Sequence, residues 1–144
     1  MPAISFEFFP PKTDEQRSQL DRAAQVLKAY QPEYASVTFG AGGSTLSYTG
    51  ETVARLHAQH GLNVAPHLSC VGGTRAELGA LLDDYRAAGY RRIVALRGDM
   101  PSGMATAGDF RYAAELVGFI REHCGDHFHI EVAAYPETHP QADD

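Results

Sequence analysis

The chain has only two cysteines in 144 residues, Cys70 and Cys124, too few for the disulfide framework of a small secreted domain. Basic residues are also sparse. Twelve Lys and Arg stand against eighteen Asp and Glu, giving a net charge of −6 and a pI near 5.6. A nucleic-acid partner needs clustered cations to neutralise phosphates, so that class is excluded as the main function. No apolar run approaches the ~20 residues needed to cross a bilayer, and no secretory leader pattern is present. Together these absences imply a reducing, cytoplasmic setting away from membranes.

Several motifs are missing as well. The "GAGGS" stretch lacks the Gly-x-x-x-x-Gly-Lys-Ser/Thr phosphate loop, and no Gly-x-Gly-x-x-Gly dinucleotide fingerprint occurs. "HCGDHFH" (123–129) offers histidines and a cysteine, but at a spacing that matches no standard zinc pattern, so it reads as a polar helix end. Neither cysteine has neighbours that mark a nucleophile.

What is present is an ordinary globular composition, 44% hydrophobic and 21% charged, in one domain-sized chain. A chain of this length can bury roughly 70% of its unfolded surface. Residues 3–9 read as a strand stopped by Pro10 and Pro11. The Thr13-to-Gln16 capping spacing and the recurrence of Leu20, Ala24 and Leu27 predict a helix over 14–29. "YASVTF" (34–39) is the second strand, followed by a helix holding Val53 and Leu56 that stops at Gly61. The unit repeats: strand 62–69, a helix capped by Thr74 and Glu77 and ended by Gly89, strand 91–99, helix 109–124 and strand 128–135. Strands alternating with helices at this spacing require parallel pairing, because each crossover returns the chain to the same end of the sheet. The class is α/β. Periodicity does not decide between an open sheet and a barrel, but a closed eight-unit barrel needs about 250 residues, so a barrel here would be about half of one.

In either architecture the functional groups gather at the carboxyl ends of the strands. Glu7, Thr38, His67, Arg97-Gly98-Asp99 and Tyr135 occupy those positions in five successive strands. Glu7 is the odd one, a carboxylate among Phe6, Phe8 and Phe9. Each has a structural alternative: Glu7 in an ion pair with Arg or Lys, Asp99 in a turn after Gly98.

Read in order, "SFEFFPPKT", "SVTFGAGGST", "APHLSC", "RRIVALRGDMPSG" and "VAAYPETHPQA" resemble the strand-end motifs of the methylenetetrahydrofolate reductase family over almost the whole chain. The resemblance implies a (βα)8 TIM-barrel, of which residues 1–144 supply the first four βα units and strand five, with FAD at the carboxyl rim and NADH or NADPH as co-substrate. It implies a general acid at Glu7, which protonates N10 of the folate substrate, and a carboxylate at Asp99 that stabilises the cationic iminium formed on ring opening. Desolvation by Phe6, Phe8 and Phe9 would hold the Glu7 proton near neutral pH. The flavin contacts fall on Thr38, Phe39, Ala41, His67, Arg97, Gly98, Asp99, Ala113, Tyr135, His139 and Ala142, and Thr38 also borders the nicotinamide.

Two departures from the family pattern stand out. Position 39 is Phe where many relatives have Tyr, and the chain stops at Asp144, before the family's further cofactor contacts and its folate-binding glutamines and arginine. The expectation is therefore a fragment of a longer protein, or a half-barrel completed by another polypeptide or by self-association. The rival readings are a half-barrel that binds flavin or a partner subunit without turnover, and a pterin-handling barrel without flavin, such as a methyltransferase.

Overall fold

The computed structural model describes residues 2–39, 45–98 and 108–137. Along the chain come β1 (Ser5–Phe8), α1 (Asp14–Lys28), β2 (Tyr34–Val37), α2 (Thr45–His60), β3 (Val64–Ser69), α3 (Arg75–Ala87), β4 (Arg92–Leu96), α4 (Ala113–Cys124) and β5 (His129–Val132).

Local chemistry accounts for most helix boundaries. Thr13, in extended backbone, accepts the Gln16 N–H through its hydroxyl at 3.2 Å and opens α1. The Gln16 side chain reaches one residue further back than a capping box, to the Lys12 N–H at 2.8 Å. The box at α3 is complete: Glu77 N–H donates to Thr74 Oγ1 at 3.2 Å, and Thr74 N–H to Glu77 Oε2 at 2.9 Å. The fourth helix begins at Ala113, not at 109 as its sequence pattern suggested. Asp109 is taken up elsewhere, accepting the Arg75 N–H at the start of α3 at 2.8 Å, while Glu115 accepts the N–H groups of Arg111 and Tyr112.

All pairings are parallel, and the strand order is β1-β2-β3-β4-β5. A doubly wound sheet reverses its order at a switch point; this one never does. Right-handed crossovers with no reversal carry all the helices to one face, which is how a βα barrel is built. The fold is α/β, an arc of a (βα)8 TIM barrel made of four βα units and a fifth strand. Among the described residues β1 and β5 are its edge strands.

Strand alternation divides the side chains between two faces. Toward the helices point Phe8, Val37, Leu68, Ile93 and Ala95, which join Leu56, Leu82, Leu116, Ile120 and Phe128 in one buried core. Truncating any of the larger ones to alanine would cost about 2–5 kcal/mol. The opposite face carries Glu7, Ser36, His67, Arg92 and Glu131. At its amino-terminal end Arg92 is fully engaged. Its guanidinium pairs with Glu33 at 2.6 Å and with Glu131, and lies 4.5 Å from the centroid of the Tyr34 ring.

Candidate active site at the carboxyl rim

Four of the five strands are shorter at their carboxyl ends than the sequence pattern suggested, β3 ending at Ser69 as expected, and the predicted site residues lie at or near these ends. Glu7 is still within β1, His67 within β3, but Thr38 and Phe39 lie just past β2 and Arg97 and Gly98 just past β4. Tyr135 follows β5 and is half exposed. Ala113 opens α4, so it belongs to the helix layer and not to a strand end. Ala41, Asp99, His139 and Ala142 lie outside the described residues.

Glu7 and His67 are brought together. The register sets Glu7 beside Ser36 on β2, and Ser36 beside Ala65 on β3, so the Glu7 side chain crosses the whole width of β2 to reach the third strand. There its Oε2 lies 3.3 Å from His67 Nε2. His67 is buried, and that burial pushes the imidazole below its usual pKa, with the Glu7 charge pulling the other way.

The phenylalanine enclosure expected around Glu7 is not found. Phe8 points into the core, Phe6 packs edge-on against Tyr30 on the helix side, and Phe9 is 73% exposed. Period-two alternation is the reason: Phe6 and Phe8 cannot face the side that Glu7 faces. The Glu7 side chain is 52% exposed, and its neighbour is an imidazole.

Thr38 is fixed through its backbone. Its N–H donates to the Phe8 carbonyl at 3.0 Å, and its carbonyl accepts the Thr49 hydroxyl at 2.9 Å. The exit of β4 is fixed by residues that sequence reading missed. The Arg97 carbonyl accepts from Ser69 Oγ at 3.0 Å, Cys70 Sγ at 3.3 Å and the Val71 N–H at 3.1 Å. Gly98 follows with φ +79°, and a Cβ there would overlap Ser69 Oγ. The only signal in the sequence was that Ser69 and Cys70 directly follow the "PHL" of β3.

The histidines of the 123–129 segment turn to separate partners: His123 to Asp83, His127 to the Tyr90 carbonyl, His129 to Glu131. Among the described residues no cluster of His, Cys, Asp or Glu could hold a metal ion. A cleft of about 360 Å³ lies at the far, amino-terminal end of the strands, between Glu33, Asn63, Tyr90, Arg91 and His129, away from the rim.

The family model for methylenetetrahydrofolate reductase matches residues 1–144. The chain belongs to the methylenetetrahydrofolate reductase family. It is 43% identical over 139 residues to the 5,10-methylenetetrahydrofolate reductase of Salmonella typhimurium, covering 96% of this chain and 46% of that protein. It is 39% identical over 142 residues to methylenetetrahydrofolate reductase (NADH) 1 of Arabidopsis thaliana, covering 96% of this chain and 24% of the plant protein. The chain thus spans just under half the length of its bacterial relative and about a quarter of the plant reductase.

Proposed function

We propose that this chain carries the acid and part of the flavin-binding rim of an enzyme that reduces 5,10-methylenetetrahydrofolate to 5-methyltetrahydrofolate with NADH or NADPH. The observation that supports it is the family match over all of residues 1–144, with the family's strand-end motifs in order along a singly wound parallel sheet. Some relatives carry NADH in their names, which favours neither donor for this chain.

The described residues suit a flavin. Thr38, His67 and Arg97 offer hydrogen-bond donors to the polar edge and phosphates of a dinucleotide, and the buried His67 ring sits on the sheet face that leads to the rim. Thr38, Phe39, His67, Arg97, Gly98, Ala113 and Tyr135 would hold FAD, joined by Ala41, Asp99, His139 and Ala142. When bound, FAD supplies a hydride relay between nicotinamide and folate. The two co-substrates would occupy the same place in turn, a ping-pong order.

The chain's own part is proton and charge. Glu7 would give its proton to folate N10 as the bond from N10 to the bridging carbon breaks, leaving a cationic iminium at N5. Asp99 would stabilise that cation by its negative charge. In the flavin-loaded protein, Glu7→Gln should leave flavin reduction by nicotinamide nearly intact and abolish folate reduction, both read by stopped-flow absorbance. An equal fall in both half-reactions would remove Glu7 from the role of acid.

A second reading draws on the open sheet. With β1 and β5 as edges among the described residues, the half-barrel could bind flavin or a partner subunit without turnover. It predicts retained flavin, no flavin reduction by nicotinamide and no folate reduction, in wild type and Glu7→Gln alike.

A further inference from the structure

Glu7 and His67 are two strands apart, yet their side chains meet. Neighbouring strands lie about 4.8 Å apart, so a side chain on β1 must extend over roughly twice that spacing, less the reach of its partner, to touch one on β3. Glutamate manages this against histidine with Oε2 at 3.3 Å from Nε2. Aspartate, one methylene shorter, would fall short.

The two partners are held very differently. The imidazole is packed into the sheet, with 10% of its side chain exposed, whereas 52% of the Glu7 side chain is exposed. His67 is therefore the anchored member and Glu7 the one that can move. Among the described residues the charge that acts on the ring is that of Glu7. Ser36 of β2 shares the same sheet face, and Val94 occupies the paired position on β4. Glu131 on β5 is one strand further and is taken up by Arg92 and His129. Arg97 stands at the β4 exit.

We propose that His67 is the positioning residue for the Glu7 carboxyl group, its Nε2 fixing which oxygen turns back to the sheet and which faces the rim where substrate would bind. This deepens the reading of Glu7 as an acid and rests on it. With Glu7 ionised, Nε2–H donates to the carboxylate. With Glu7 protonated, the carboxyl O–H can donate to the same nitrogen, or Nε2–H can donate to the carbonyl oxygen and leave the O–H aimed at the rim. The second arrangement is the one an acid needs, and it requires the Nε2–H tautomer. Sequence reading gave His67 only to the flavin.

The test is an imidazole ¹⁵N NMR titration of the 144-residue protein, as wild type, Glu7→Gln and Glu7→Asp, with flavin retention through gel filtration measured on each. Both substitutions are at a half-exposed position, and amide spectra check that the fold is kept. The expected result is a wild-type His67 ring protonated on Nε2 when neutral. Its titration midpoint should fall in Glu7→Gln, where the charge is gone, and also in Glu7→Asp, where the charge remains but no longer reaches. A midpoint unmoved in Glu7→Gln, or a Glu7→Asp profile that overlays wild type, would overturn the proposal. The two ideas separate cleanly. An equal fall of both half-reactions in flavin-loaded Glu7→Gln, with the His67 shifts as expected, strikes the functional reading and leaves the pairing standing, while a selective loss of folate reduction with an unmoved His67 strikes the pairing alone.

Discussion

Replacing Gly98 by alanine tests how the β4 exit is held. The φ of +79° is in the left-handed region, where a Cβ costs about 1–2 kcal/mol. The new methyl would also overlap Ser69 Oγ and lie 3.2 Å from Ser69 Cβ, so the hydroxyl must move. Moving it breaks its bond to the Arg97 carbonyl and the one it accepts from the Val71 N–H at 3.3 Å, each worth about 0.5–1.5 kcal/mol. Gly98→Ala should therefore cost about 2–5 kcal/mol, a large share of a typical domain stability of about 5–15 kcal/mol. Ser69→Ala alone should cost about 1–3 kcal/mol, for the two hydrogen bonds. In the double variant those bonds are already gone and the overlap is relieved, so only the backbone term is added. Urea unfolding of the four proteins should give a double-variant loss smaller than the sum of the singles by about 1–3 kcal/mol, the share the two singles have in common. Additivity within about 0.5 kcal/mol would refute the argument that Ser69 occupies the space glycine leaves.

Two further expectations follow from groups away from the rim. Asp21 on α1 accepts from Arg55 at 2.8 and 2.5 Å and faces His60 at 2.9 Å, both on α2, and the Arg55 hydrogen bonds hold its carboxyl well below the ordinary value of 3.8. A depressed folded-state value stabilises above the unfolded value and is lost as pH falls toward the folded one. Asp21→Asn should thus cost about 1–3 kcal/mol at pH 7, with a gap to wild type that narrows below about pH 4 in pH-dependent urea melts; a constant gap would count against it. Cys70 and Cys124 are buried, and burial pushes both thiols above their usual pKa, so a disulfide-exchange reagent at pH 8 should react far more slowly with folded than with unfolded protein. Fast labelling of either thiol in the native state would show that its pocket opens.

The sequence made local features legible where one chain segment decides them. Thr74 and Glu77 are three residues apart and need nothing distant to form their box, and Gly61 and Gly89 end helices with positive φ. Strand order was not legible, because period-two and helical patterns are the same in an open sheet and in a barrel; only the hydrogen-bonded order without reversal separates them. The Ser69–Gly98 fit was invisible for a related reason, since it joins the ends of two strands that the sheet brings side by side. The error over Glu7 was of another kind. Three neighbouring phenylalanines look like an apolar sleeve in one dimension, but alternation turns two of them through the sheet and leaves Phe9 in solvent. Asp99, Ala41, His139 and Ala142 lie outside the described residues, so for those positions only the motif speaks.

The contrast between the two ends of the same sheet face bears on whether Glu7 is structural. A carboxylate kept for stability pairs with a fixed cation, as Glu33 and Glu131 do with Arg92 at the amino-terminal end, where one guanidinium with 18% of its side chain exposed takes both. Such a pair is hard to lose, because removing one partner strands the other's charge in the sheet. Glu7 has none of this. Its partner is an imidazole that burial keeps easy to deprotonate. A neutral partner can steer a carboxyl group without locking it in the ionised state, which a guanidinium would do. That is the condition a proton donor has to meet.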